Sequence, residues 1–168
     1  MSLQLTYRKA TEEEFEDLYR IKCDRANIEW GGFCEVPNRD RFYIWFKDQL
    51  ISDKRTIYLV YDHEDVCAFF YLDKIDNITY ELSSSGVLSQ FTGRGIGSYT
   101  VRARLDIIQS LGGRITWIAE DNVASYRRFE NEGFTRTGNM KFVIFLFLGW
   151  RAISFLQMDK TTIIEESL

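Results

Sequence analysis

Val87-Leu88-Ser89-Gln90-Phe91-Thr92-Gly93-Arg94-Gly95-Ile96-Gly97 carries the chain from an apolar strand end, through three glycines at alternate positions, into a segment with helical spacing. Val101, Leu105, Ile108 and Leu111 mark the buried stripe of that helix, and Gly112-Gly113 stops it. A glycine-rich loop opening a helix suits an anion. Glycines let backbone N–H groups approach closely, and the helix start carries partial positive charge. A phosphate-binding P-loop would need a lysine after its last glycine, where Ser98 stands. A dinucleotide fingerprint would need a third glycine at Ser98 or Thr100. The remaining readings are another phosphorylated ligand or a tight turn with no ligand.

Upstream, the pattern has period two. Thr56–Tyr61, Val66–Leu72 and Ile78–Leu82 are separated by the Asp62–Asp65 and Asp76-Asn77 turns, which predicts an antiparallel meander. In its third strand Ile78, Tyr80 and Leu82 face one way, and Thr79, Glu81, Ser83 and Ser85 the other. Earlier still, Leu3–Tyr7 reads as a first strand and Glu12–Cys23 as a helix opened by the Thr11/Glu14 capping box. Asp24–Asn38 reads as an irregular stretch, and a second helix starts near Arg39 or Asp40. Downstream, Arg114–Ala119 is a strand, Asn122 caps a helix over Val123–Glu132, and Phe134–Met158 is β-rich with a turn at Gly149-Trp150.

With 168 residues the chain is the size of one domain, and neither repeats nor a boundary divide residues 1–168. Its 21 basic against 25 acidic residues give a net charge of −4, which argues against general nucleic-acid binding. Cys23, Cys34 and Cys67 are widely spaced and read as reduced thiols; with the lone His63 in a polar turn they make neither a zinc site nor a hydrolase triad. The N-terminus lacks a signal-peptide pattern, and the longest apolar run, Phe142–Trp150, is too short to span a bilayer. We therefore expect a cytoplasmic protein without membrane or metal. Phe142, Ile144, Phe145, Phe147 and Trp150 exceed what one sheet face needs, so one face there is a candidate homodimer contact.

Two motifs resemble the GCN5-related N-acetyltransferase (GNAT) superfamily. Val87–Gly97 is similar to its pyrophosphate loop and the strand before it. Asn122-x-x-Ser125-x-x-x-Phe129-x-x-x-Gly133-Phe134 is similar to its Asn-started helix ending in Gly-Phe. The resemblance implies a mixed α/β fold: a central, mostly antiparallel sheet of about six or seven strands with helices on both faces. It implies acetyl-CoA as acyl donor. Gly93, Arg94, Gly95, Ile96, Gly97 and Ser98 would hold the diphosphate, Val87 and Leu88 would offer backbone groups to the pantetheine and thioester, and Asn122 and Ser125 would line the arm. Two positions depart from the pattern. Thr92 replaces the loop's usual Gln or Arg, and Phe129 occupies the place that often carries a tyrosine as acid for the leaving thiolate. Tyr126, on the same helix face, is the nearest replacement, or else an aromatic packed on the sheet.

Transfer to an amine needs a neutral nitrogen, a proton route and stabilisation of an oxyanion. Backbone N–H groups near Leu88 are expected to supply the last. Glu81 is the first choice of base, with Ser83 on the same polar face; Glu120 and Asp121 are the second. Asp24–Pro37 reads as an acceptor lid in which Asp24, Trp30 and Phe33 contact the substrate. Ile21–Asp24 and Trp30-Gly31 also look like family members that acetylate amino sugars. The expected function is N-acetyl transfer to a primary amine of a small molecule. Peptide or protein acetylation, another acyl donor, and a non-catalytic CoA-binding module remain alternatives.

Overall fold

The computed structural model describes residues 3–30, 35–77, 79–108, 113–119, 122–146 and 150–161; for 30, 113, 119, 140–146, 150–156 and 159–161 it describes the backbone alone. Strand β1 (Leu5–Lys9) leads through a 3₁₀ turn at Glu12–Glu14 into α1 (Phe15–Lys22). The single helix expected over Glu12–Cys23 is therefore in two parts. The Glu14 carboxylate turns back to accept from the N–H and the hydroxyl of Thr11, both at 2.7 Å, and this closes the first turn tightly. The stretch expected to be irregular contains a helix, α2 (Arg25–Trp30). Asp24 starts it, its side chain accepting from Ala26 N–H at 3.1 Å and its carbonyl from Ile28 N–H at 2.9 Å. Then α3 (Arg39–Leu50) begins where expected, capped by Asn38, whose side chain accepts from Arg41 N–H at 3.1 Å.

Strands β2 (Arg55–Asp62), β3 (Asp65–Lys74), β4 (Thr79–Glu81) and β5 (Ser85–Val87) precede a 3₁₀ turn at Ser89–Phe91 and α4 (Ile96–Ile107). Strand β6 (Gly113–Ala119), α5 (Val123–Asn131), β7 (Thr135–Leu146) and β8 (Trp150–Thr161) complete the order. The strands form one sheet of order β1-β2-β3-β4-β6-β8-β7, with β5 attached to β3. All pairings are antiparallel except β4 with β6. The count is eight rather than six or seven because the expected third meander strand is broken into β4 and β5.

Helices α1, α2 and α3 cover one face, packing on Phe69 and Tyr71: Trp45 lies 6.0 Å from Tyr71, ring to ring, and Lys22 Nζ 5.0 Å from the Phe69 ring. Helices α4 and α5 cover the other face, where Tyr58 and Phe70 stack at 4.9 Å and Leu72, Leu82, Val101, Ile118 and Phe129 are buried. Both faces of β3 are covered, so it reads as the nearly unbroken apolar run Val66–Leu72.

Candidate active site

The break in the third strand is a one-residue slip against β3. Asp73 pairs with Glu81, whereas Phe70 pairs with Ser85, so eight steps separate the first pair and fifteen the second, where an unbroken antiparallel ladder would give fourteen. The extra residue lies in Leu82–Ser84. Because side chains alternate, one extra residue reverses the face of everything beyond it. Glu81 stays with the Arg55–Asp73 pair on the α1 face. Ser85, expected beside Glu81, is on the α4 face, where Arg104 Nη2 donates to its Oγ at 3.4 Å. Gly86 correspondingly faces α2, and a Cβ there would fall 2.4 Å from Asn27 Oδ1.

The sheet opens at the same place. Strand β4 pairs with β6 through Glu81 and Ile115, followed by Leu82 N–H donating to Ile115 O at 2.8 Å and Thr116 Oγ1 to Leu82 O at 2.9 Å. Beyond this point β5 pairs with β3 alone, while β6 runs on beside β8. Along β5 the bonds to β3 fall on alternate residues: Tyr71 N–H donates to Ser84 O and Leu88 N–H to Cys67 O, both at 2.9 Å. The backbone groups of Ser85 and Val87 therefore point toward the side that β6 has left. Of the backbone N–H groups near Leu88 expected to stabilise an oxyanion, that of Leu88 itself donates to the sheet.

The glycine loop follows this opening. Gly93 and Gly95 have φ of +80° and +82°, and Gly95 directly precedes α4. At this conformation a side chain is strained, and the space beside both glycines is open. Arg94 bridges to Asp62 at 3.2 Å and lies over the Phe91 ring. Ile96 is buried as the helix's first anchor, and the Thr92 backbone is extended. Gly97 has a different reason to lack a side chain: a Cβ would fall 2.5 Å from Nη1 of Arg128 on α5. Ser98 continues the first turn. Asn122 caps α5, its side chain accepting from Ser125 N–H at 3.1 Å.

Several expected roles change in place. Tyr126 is buried, and its hydroxyl donates to Ile118 O at 3.1 Å, which fits the sheet-packing alternative rather than a proton donor. Phe129 is buried edge-on against Phe134, ring centroids 5.0 Å apart. Asp24 accepts from Ser89 N–H at 3.0 Å and Ser89 Oγ at 2.7 Å, so its carboxylate latches α2 to the turn after β5. Ser83 gives its carbonyl to Arg104 Nη1 at 2.9 Å, and its own hydroxyl is buried without a partner. Phe33, Glu120 and Asp121 lie outside the described residues, as does Trp30 beyond its backbone and as do the side chains expected at a homodimer contact.

Two buried cations, Arg104 and Lys22, were missed in the sequence, and Asn27 of the expected acceptor lid has a structural role. Arg104 lies in the middle of α4, 1% exposed, with Nε on Thr100 O at 3.1 Å and its guanidinium 5.8 and 5.7 Å from the rings of Phe70 and Phe129. Burial first, and then the charge of Arg128, push its pKa down to about 9, so it remains a cation at neutral pH. Lys22 is buried on the α1 face, its ammonium pushed down to about 8 by burial and then by Arg55. Asn27 donates from Nδ2 to Ile21 O at 2.9 Å and to Val87 O at 3.2 Å. Within the acceptor lid Asn27 reads as a group for a hydroxyl or an ammonium, and its carbonyl partners have no local signal. Beside α1, a cavity of about 330 Å³ is lined by Tyr19, Cys23, Leu88 and Gln90 with Glu16, Arg20 and Asp24.

The glycine loop at the start of α4 and the Asn122 cap of α5 stand where the motif resemblance implies, and comparison decides the matter. The family model described as the acetyltransferase (GNAT) family matches residues 10–134. The chain belongs to the acetyltransferase (GNAT) family. As a member of that family it is an acyltransferase. No curated protein matches the sequence significantly. Among solved structures it is similar to the spermidine N-acetyltransferase of Vibrio cholerae in complex with CoA and spermine, at 16% identity and TM-score 0.78 over 94% of this chain and 95% of that one. An aminoglycoside acetyltransferase in complex with coenzyme A matches at 18% identity and TM-score 0.75, covering 94% and 95%. The ribosomal-protein-alanine N-acetyltransferase of Brucella melitensis matches at 20% identity and TM-score 0.74, covering 94% and 99%. Likeness at these identities extends to the fold. Among the described residues no helix is long and apolar enough to cross a membrane, and no group of three or more His, Cys, Asp or Glu is placed to hold a metal ion.

Proposed function

We propose that this member of the family moves acetyl from acetyl-CoA directly to a primary amine on a small molecule, with amino sugars as the first class to test. The observation that carries the donor side is the parting of β5 from β6 immediately before the glycine loop. Amides of Gly93–Ser98 take the diphosphate, with Arg94 alongside, and the edge groups of Ser85 and Val87 pair with the pantetheine. Asn122 and Ser125 line the same arm. Gly93 and Gly95 suit this because no side chain fills the space in front of the loop.

The amine approaches from the α1 face, where Glu81 takes its proton directly or through a water. Support for Glu81 is its position at the last β4–β6 pair, beside the point where the sheet opens. Two of the similar structures are named for activity on spermidine and aminoglycosides, which favours small amines. The test is calorimetric titration with acetyl-CoA beside ATP and NAD, followed by a panel of amino sugars, polyamines and peptides. Micromolar binding of acetyl-CoA alone and turnover of a small amine are expected, with turnover lost and binding kept in Glu81→Gln. Turnover confined to peptides would replace the acceptor assignment. Binding with no turnover of any amine would make the chain a CoA-binding module.

A further inference from the structure

At the open end of the sheet the departing sulfur has no tyrosine to meet it, since Phe129 has no hydroxyl and that of Tyr126 is given to Ile118 O. Ser85 offers a hydroxyl there. It projects on the α4 face because of the strand slip, its backbone borders the gap, and it is exposed. Its Oγ accepts from Arg104, so its own proton is left to point elsewhere. A hydroxyl that accepts from a cation is also a stronger donor.

Arg104 is held on every side. Nε is on Thr100 O, Nη1 on Ser83 O, and the guanidinium lies between the rings of Phe70 and Phe129. Its partners are carbonyls, a hydroxyl and ring faces rather than a carboxylate. The cation therefore keeps its full field in a poorly polarisable setting, and Arg128 from α5 adds the same sign. Arg104 beside Ser83 and Ser85, with Arg128 nearby at Gly97, makes a region that favours negative charge. Glu81, the nearby carboxylate discussed above, is on the opposite face of the sheet.

We propose that Ser85, positioned by Arg104, meets the developing thiolate of CoA in place of the missing tyrosine. The nitrogen–carbon bond forms, the carbon–sulfur bond breaks, and the electron pair stays on sulfur. The proton lost by the amine leaves on the Glu81 side. Ser85 O–H hydrogen-bonds the sulfur without surrendering its proton, and the thiolate is protonated from solvent after release. Ser85 is then a catalytic residue and Arg104 a positioning residue that also contributes charge. The inference rests on the donor placement proposed above and is independent of which amine is acetylated.

The test needs no acceptor. The thiol of CoA bound to the protein is titrated by thiolate absorbance in the wild type, in Ser85→Ala and in Arg104→Lys. In the wild type the bound thiol is expected to ionise about one pH unit below free CoA, a tenfold shift toward thiolate. Ser85→Ala should abolish most of that shift while CoA affinity at pH 6 stays within twofold, and Arg104→Lys should lie between. A bound thiol that titrates alike in wild type and Ser85→Ala would overturn this assignment alone. Failure of the wild type to bind CoA would overturn the donor placement with it. Ser85 is exposed and small, so its alanine variant keeps the test readable even where Arg104 variants fold poorly.

Discussion

The side-chain amide of Asn27 donates to the carbonyl of Val87 at 3.2 Å, tying α2 to the strand edge that borders the gap. The same Nδ2 donates to Ile21 O at 2.9 Å, and Asp24, three residues earlier, holds Ser89. The segment that reads as an acceptor lid is thereby fastened, at its root, to the donor strand. Replacing Asn27 by Asp puts acceptor oxygens opposite two carbonyls. We expect a stability loss of roughly 1–3 kcal/mol by urea denaturation. A rise in KM for acetyl-CoA of several-fold is also expected, because the edge of β5 shifts. Unchanged values of both would mean that the contact is incidental.

Gly95→Val tests the loop. At φ +82° a β-branched residue is strained by roughly 1–3 kcal/mol, and its side chain would enter the space in front of the helix start. Calorimetry should find acetyl-CoA binding weakened at least tenfold. Native affinity in a folded variant would remove the loop from the donor site.

Tyr126→Phe separates packing from chemistry. Its hydroxyl is buried and bonded to Ile118 O, so the variant should lose about 1 kcal/mol of stability. The value of kcat should stay within twofold of wild type at every pH. A loss of a hundredfold or more would restore Tyr126 as the acid.

Lys22 yields a pH prediction. Its folded-state pKa is depressed to about 8, so the unfolded chain binds the proton more tightly between that value and the ordinary lysine range. Stability therefore carries a penalty that is full below pH 8 and is relieved as pH rises through the window from about 8 to 10.5. Lys22→Met removes the penalty and should stabilise the protein by up to roughly 3 kcal/mol at pH 7, with the gain shrinking toward pH 10. Urea denaturation at pH 7 and pH 9.5 measures the difference; a gain equal at both would place the effect in packing.

What was legible in the sequence was what depends on local geometry. Period-two runs gave β2 and β3, the start of α3 was legible near Arg39, Asn122 announced α5, and the glycine loop together with Asn122–Phe134 gave the family. What was hidden depends on tertiary pairing. Simple alternation put Ser85 beside Glu81, because the slip that reverses it arises only when β4 and β5 dock on β3. Asp24 and Leu88 were read as available groups, since nothing local reveals that one holds Ser89 and the other Cys67. Helix α2 was missed because Arg25–Trp30 is short and lacks an apolar stripe of its own, its order coming from the bonds of Asp24 and Asn27. Arg104 was overlooked for a related reason: a cation among apolar positions reads as a surface residue until its carbonyl partners are seen.

The single extra residue within Leu82–Ser84 also makes the protein modular. With the roles proposed above, it puts the residue that takes the amine's proton on one side of the sheet and the residue that meets the sulfur on the other. Glu81 and the helices above it can therefore be rebuilt for a new acceptor without disturbing Ser85, Arg104 or the loop. Deleting that one residue would be a far more severe edit than any point substitution, since it would bring base and thiolate partner onto a common face and close the route between them.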